Sequence, residues 1–118
     1  MDILVTNNPL VEAQCKGNYI LEYIDTDLQG ILIRVRDLVH KGHQLLTHPL
    51  MGSVKPNESP YKSVLVTSAS EKTDIQSVTI IEESIQTSLK FAPKQISGKY
   101  MNDLQIVDLS LIRAALEK

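Results

Sequence analysis

Short runs of β-branched and aliphatic residues alternate along this chain with longer stretches whose apolar residues recur at helical spacing, and that alternation restricts the fold most. Ile3-Leu4-Val5 reads as a buried strand that stops at Thr6-Asn7-Asn8-Pro9. A helix starts there: the Asn8 side chain suits a cap, and Pro9 suits the first helical position, where no N–H is needed. Gly17 supplies its stop. Tyr19 to Ile24 is a second strand candidate, and Ser63-Val64-Leu65-Val66-Thr67 another buried strand.

Thr26 followed by Gln29 has the form of a capping box, and Leu28, Ile31, Leu32, Val35, Leu38 and Val39 continue a helix up to Gly42. A strand over Ile31 to Val35 competes with it, because β-branched residues alternate there and Gly30 weakens a helix by about 1 kcal/mol relative to Ala. The stripe continuing through Leu38 and Val39, with Asp37 four residues before Lys41, favours the helix. Thr73 and Gln76 repeat the box. Ile75, Val78, Ile81 or Glu82, Ile85 and Leu89 then predict a helix to about Phe91, ended by Pro93. Gln95 to Asn102 reads as a loop, Leu104 to Val107 as a last strand, and Asp108 as the cap of a terminal helix with Ile112, Ala115 and Leu116 facing inward.

This order predicts one α/β domain over residues 1–118, a small three-layer arrangement with a mostly parallel sheet flanked by helices. Ligands of such sheets sit beyond the carboxyl ends of the strands, which draws attention to Thr6-Asn7-Asn8 and to the stretch before Ser63. Composition narrows the function classes. At 42% hydrophobic and 22% charged residues the chain has enough apolar material to fold unaided. Its single cysteine, Cys15, cannot form an intramolecular bridge, so a reduced, cytoplasmic protein is expected. Met1 to Asn7 has no basic n-region, no segment approaches a membrane span, and no membrane association is expected. A net charge of −2, four Tyr, one Phe and no Trp leave neither the basic field nor the stacking surface of a nucleic-acid binder.

That charge is unevenly spread. From Arg34 to Lys62 the basic residues Arg34, Arg36, Lys41, Lys55 and Lys62 face only Asp37 and Glu58, a net +3 that leaves −5 for the rest of the chain. All three histidines, His40, His43 and His48, lie in the same block, with Pro49, Pro56 and Pro60. The ordered string from Arg36 through His40-Lys41-Gly42-His43, Thr47-His48-Pro49-Leu50-Met51-Gly52-Ser53 and Lys55-Pro56-Asn57 to Tyr61-Lys62-Ser63 resembles the GrdX family. That family comprises small proteins encoded beside the glycine, sarcosine and betaine reductase genes of amino-acid-fermenting anaerobic bacteria. The resemblance extends to Leu4-Val5-Thr6-Asn7-Asn8-Pro9 and fades toward the C-terminus. It implies a pathway and an accessory role, with reductase subunits as partners, and implies no reaction.

Read from the residues themselves, the block offers three kinds of chemistry. Metal binding would use His40, His43 and His48, with Asp37 orienting His40, and would make a small metal-dependent or acid-base enzyme the alternative function. The spacing matches no standard zinc motif, and Lys41 and Lys55 add positive charge, so no metal or other cofactor is assigned. Anion recognition would use Arg36, Lys41, His43, Lys55 and Lys62, with donors from Ser53, Asn57 and the start of the first helix at Asn7 and Asn8. Neither a Walker-type loop nor G-x-G-x-x-G is present. A docking surface would use Pro49, Leu50, Met51, Pro56, Pro60 and Tyr61 toward a reductase subunit or a second copy of the chain. The candidate site is therefore Asn7, Asn8, Arg36, Asp37, His40, His43, His48, Ser53, Lys55, Asn57, Tyr61 and Lys62. Nucleophilic catalysis has the least support, since no histidine lies near Cys15 in sequence and nothing marks a nucleophile elbow around Ser53 or Ser63.

Overall fold

The computed structural model describes residues 1–51, 59–91 and 98–117. In chain order these form β1 (Asp2–Thr6), α1 (Pro9–Gln14), β2 (Tyr19–Tyr23), α2 (Leu28–His40), β3 (Ser63–Val66), α3 (Ile75–Leu89) and α4 (Gly98–Leu116). Among the described residues the strands make one sheet in the order β2-β1-β3. β1 pairs parallel with β2, Leu4 opposite Leu21, and antiparallel with β3, Leu4 opposite Leu65. The sheet is thus mixed, and the direction of β3 is where it departs from a parallel arrangement.

Period-2 alternation divides the core into two. Val5, Val64 and Val66 face one side and pack with Leu28, Ile31, Leu32, Val35 and Val39 of α2 and Ile81 and Ile85 of α3. Leu4 and Leu65 face the other and pack with Val11 and Cys15 beside α1 and Leu109 and Ile112 of α4. The result is three layers, as the alternation of elements predicts. Among the described residues no helix is long and apolar enough to cross a membrane.

Local chemistry sets the helix ends. Asn8 caps α1 as expected, its Oδ1 accepting from Leu10 N at 3.0 Å, with Pro9 following. The caps of α2 and α3 fall one residue after the predicted threonines. Asp27 accepts from Gly30 N at 2.9 Å, and Asp74 from Ser77 N at 3.0 Å, because an ionised carboxylate is the stronger acceptor for a helix N-terminus. Thr26 packs against Gly30 instead, where an added Cβ would lie 1.9 Å from its Oγ1. Gly42 closes α2 at φ +103°, a left-handed backbone that glycine adopts without strain.

Three predicted elements are corrected. Leu104 to Val107 is not a strand, the described part of the expected loop (98–102) is helical, and Asp108 lies inside α4 instead of capping it. In α4 the buried residues are Asp108, Leu109 and Ile112, at helical spacing, while the β-branched pair Ile106 and Val107 is exposed, so packing period overrides local β propensity. In α3 the inward face is Ser77, Ile81, Ser84, Ile85 and Ser88, and Ile75 and Leu89 point to solvent. The small serines let α3 lie close to α2, where Gln29 bonds Ser88, and to the segment after it, where Ser77 Oγ accepts from Leu45 N at 3.0 Å.

Candidate functional site

The antiparallel pairing of β3 brings the end of β1 beside the start of β3, and a buried polar network forms there. Asn7 is 4% exposed. Its amide nitrogen donates to Thr26 O at 2.8 Å and Pro60 O at 2.7 Å, and its Oδ1 accepts from Lys62 N at 2.8 Å. Asn8, fully buried, donates from Nδ2 to Gln105 O at 2.9 Å and Asp108 Oδ2 at 3.0 Å. The same carboxylate oxygen accepts from Ser63 Oγ at 2.7 Å, and Ser63 shares a 2.7 Å hydrogen bond with Thr6 Oγ1, which also accepts from Asn8 N. Gln105 Nε2 donates to the Tyr61 hydroxyl at 2.9 Å. This network ties α4 to the sheet.

Lys62 and Asp108, each 6% exposed, line a cavity of about 50 Å³ at its edge. Lys62 Nζ donates to Met51 O at 3.0 Å. Burial pulls the pKa of this amine down, and the charge of Asp108 pulls it partly back. Of the predicted residues, Asn7, Asn8, Tyr61 and Lys62 thus come together here, as internal bonding partners. Hydrogen bonds within the protein occupy the donors that an anion would use.

The remaining predicted residues lie elsewhere. Arg36, Asp37 and His40 line an open hollow of about 450 Å³ with Lys41 and Glu82. There His40 Nε2 is 3.4 Å and Arg36 Nε 3.9 Å from Glu82 Oε1, so this carboxylate already meets the Arg36 guanidinium and the His40 ring. His43 Nδ1 donates to Thr67 O at 2.6 Å, which fixes its tautomer. His48 Nδ1 accepts from Leu50 N at 3.1 Å. The three histidines have three separate sets of partners. Among the described residues no group of three or more His, Cys, Asp or Glu could hold a metal ion. Ser53, Lys55 and Asn57 lie outside the described residues.

A groove of about 820 Å³ lies on the α1 and α4 side, and among the described residues His48 is the one predicted residue that lines it. Sequence reasoning missed its other polar members. Lys16 comes from the turn after α1, Thr47 from the segment before β3, and Arg113 from α4, and the acidic Asp2 and Glu117 line it too. Arg113 Nη2 donates to Gln14 Oε1 at 3.0 Å, and the Arg113 and Tyr19 side chains lie near the Cys15 thiol. Burial pushes the Cys15 thiol up, and Arg113 offsets only part of that rise, so the sulfur is a neutral thiol at pH 7. Because His48 Nδ1 is an acceptor, the neutral ring carries its proton on Nε2. No spacing in the chain announces this set, since Gln14 and Arg113 are 99 residues apart.

A family model described as GrdX-like protein matches residues 3–117. No curated protein and no solved structure matches the chain.

Proposed function

The chain belongs to the GrdX-like protein family, and from that premise we propose that it is a cytoplasmic, non-catalytic accessory protein of the glycine reductase system that binds a small anionic ligand. The family resemblance supports the pathway and makes reductase subunits the expected macromolecular partners. One observation carries the ligand: Lys16, His48 and Arg113, from three distant stretches of chain, line a single groove of about 820 Å³. A guanidinium and an ammonium there suit a carboxylate or a phosphate, and Thr47 adds a hydroxyl. The hollow beside Arg36 suits an anion less well, because Glu82 already faces the Arg36 guanidinium and the His40 ring. The non-catalytic reading follows from the engagement of Lys62 and Asp108 in internal hydrogen bonds and from the neutral state of Cys15.

Thermal unfolding in the presence of small carboxylates and inorganic phosphate tests it. A ligand at 100 times its Kd stabilises the folded state by about 2.7 kcal/mol, an upward shift of roughly 10 °C for a domain this size. Arg113→Gln should abolish the shift and Arg36→Gln should leave it intact. Absence of any shift in the wild-type protein, or its persistence in Arg113→Gln, would remove the groove as the site.

A further inference from the structure

β2 is the edge of the sheet, and its free side has a symmetry of its own. Ile24 N donates to Thr6 O at 2.9 Å, so in the parallel pairing with β1 the backbone groups of Ile20, Glu22 and Ile24 point inward. Those of Tyr19, Leu21 and Tyr23 therefore point outward, and among the described residues no strand pairs with that side. Natural sheets guard such edges with Pro, Lys, bulges or a covering segment. Tyr19-Ile20-Leu21-Glu22-Tyr23 carries no Pro or Lys, and Ile20 is 52% exposed.

We propose that this edge is a homodimer interface, in which β2 of a second copy pairs antiparallel across a two-fold axis at Leu21 and the two sheets become one. The outward residues are disposed symmetrically about Leu21. Leu21 pairs with the Leu21 of the other copy and Tyr19 with its Tyr23, and every outward N–H and C=O then has a partner. On the α1 and α4 side this register sets Tyr against Tyr and Leu against Leu, pairs that favour strand association. On the other side Ile20 stands opposite Glu22 in a close pair without mutual hydrogen bonds. Glu22 enters that contact already held by Arg34, whose Nε and Nη2 donate to its two oxygens at 2.7 and 2.9 Å, so the carboxylate brings no unpaired charge. An unrelated strand would satisfy the hydrogen bonds, but a second copy also satisfies the side-chain order.

Sedimentation equilibrium of the full chain from about 1 to 100 µM tests the proposal through two substitutions at the exposed Ile20. Ile20→Glu places a carboxylate opposite Glu22 twice in each dimer and should weaken association about ten-fold or more. Ile20→Lys places an ammonium there and should leave the dissociation constant within about three-fold of the wild-type value. Circular dichroism checks that both variants fold. Amide exchange gives a second readout: the Leu21 and Tyr23 N–H groups should be protected at high protein concentration and lose protection on dilution, while Ile20 and Glu22 stay protected throughout. A wild-type monomer at 100 µM, an Ile20→Glu dimer as tight as wild type, or equal disruption by both substitutions would overturn the interface as described. Protection of Leu21 and Tyr23 that appears only on adding a reductase subunit would assign the edge to that partner instead.

Discussion

Replacing Asn7 separates a structural hub from a ligand contact. Its side chain bonds Thr26 O, Pro60 O and Lys62 N, linking the end of β1 to the turn before α2 and to the entry of β3. Asn7→Ala leaves all three groups without that partner. The Lys62 N–H is buried and bears most of the penalty of an unmade hydrogen bond, while Thr26 and Pro60 are half-buried and water can reach their carbonyls in part. With about 1–3 kcal/mol for the amide and about 1 kcal/mol for the two carbonyls together, the loss should be about 3 kcal/mol. For a domain this size that is a drop of roughly 12 °C in Tm. Urea unfolding followed by circular dichroism should show a lower midpoint with an unchanged slope. Asn7→Asp adds a sharper test. At neutral pH its carboxylate faces two carbonyl oxygens and should be at least as destabilising as Ala; on acidification the protonated acid regains one donor, so this variant should recover relative to Asn7→Ala. A loss below about 0.5 kcal/mol for Asn7→Ala, or wild-type stability for Asn7→Asp at pH 7, would refute the hub.

Three further perturbations address other parts of the fold. Gly42→Ala forces a side chain onto φ +103°, with its Cβ 2.0 Å from Ser70 O, and should cost at least about 2 kcal/mol in chemical unfolding. The hydrogen bonds from Arg34 hold the Glu22 pKa below the usual carboxylate range, so this pair adds stability above the unfolded glutamate pKa and loses it as pH falls through the lowered value. Both side chains are about one-third exposed, so Arg34→Gln should lose under about 1 kcal/mol at pH 7 and show a shallower acid limb. Lys62 behaves oppositely in pH. Its folded-state pKa is lowered, so between that value and the unfolded lysine pKa the unfolded chain binds more protons and stability rises with pH. Lys62→Met should remove that rise, measurable as the difference between the two proteins' urea midpoints from pH 7 to 10.

The layered α/β plan was legible because strand and helix periods differ and the core residues keep to them. Leu4 and Val5 fall on opposite faces as alternation requires, and the α2 stripe from Leu28 to Val39 is buried where predicted. Elements failed where a local propensity opposed the tertiary period. Leu104 to Val107 is β-prone in isolation, yet Asp108, Leu109 and Ile112 need a helical face against β3 and α1. The groove was illegible for another reason. A charge partition sees blocks of sequence, whereas Arg113 reaches Gln14 and Cys15 only through the packing of α4 on α1.

The direction of β3 decides what chemistry the predicted site keeps. Were β3 parallel to β1, its carboxyl end at Val66 would stand beside Thr6, and Asn7 would meet the segment leading to α3. Because it is antiparallel, Ser63 pairs with Thr6, and Tyr61 and Lys62 arrive beside Asn7 and Asn8. Polar residues brought that close in a buried place must satisfy one another, since each unpaired group would cost about 1–3 kcal/mol. Asp108 completes the set from α4, accepting from both Ser63 and Asn8. The conspicuous Asn7-Asn8 pair and Lys62 are therefore consumed in joining three layers, and the cations that line the groove, Lys16 and Arg113, come from outside that constellation.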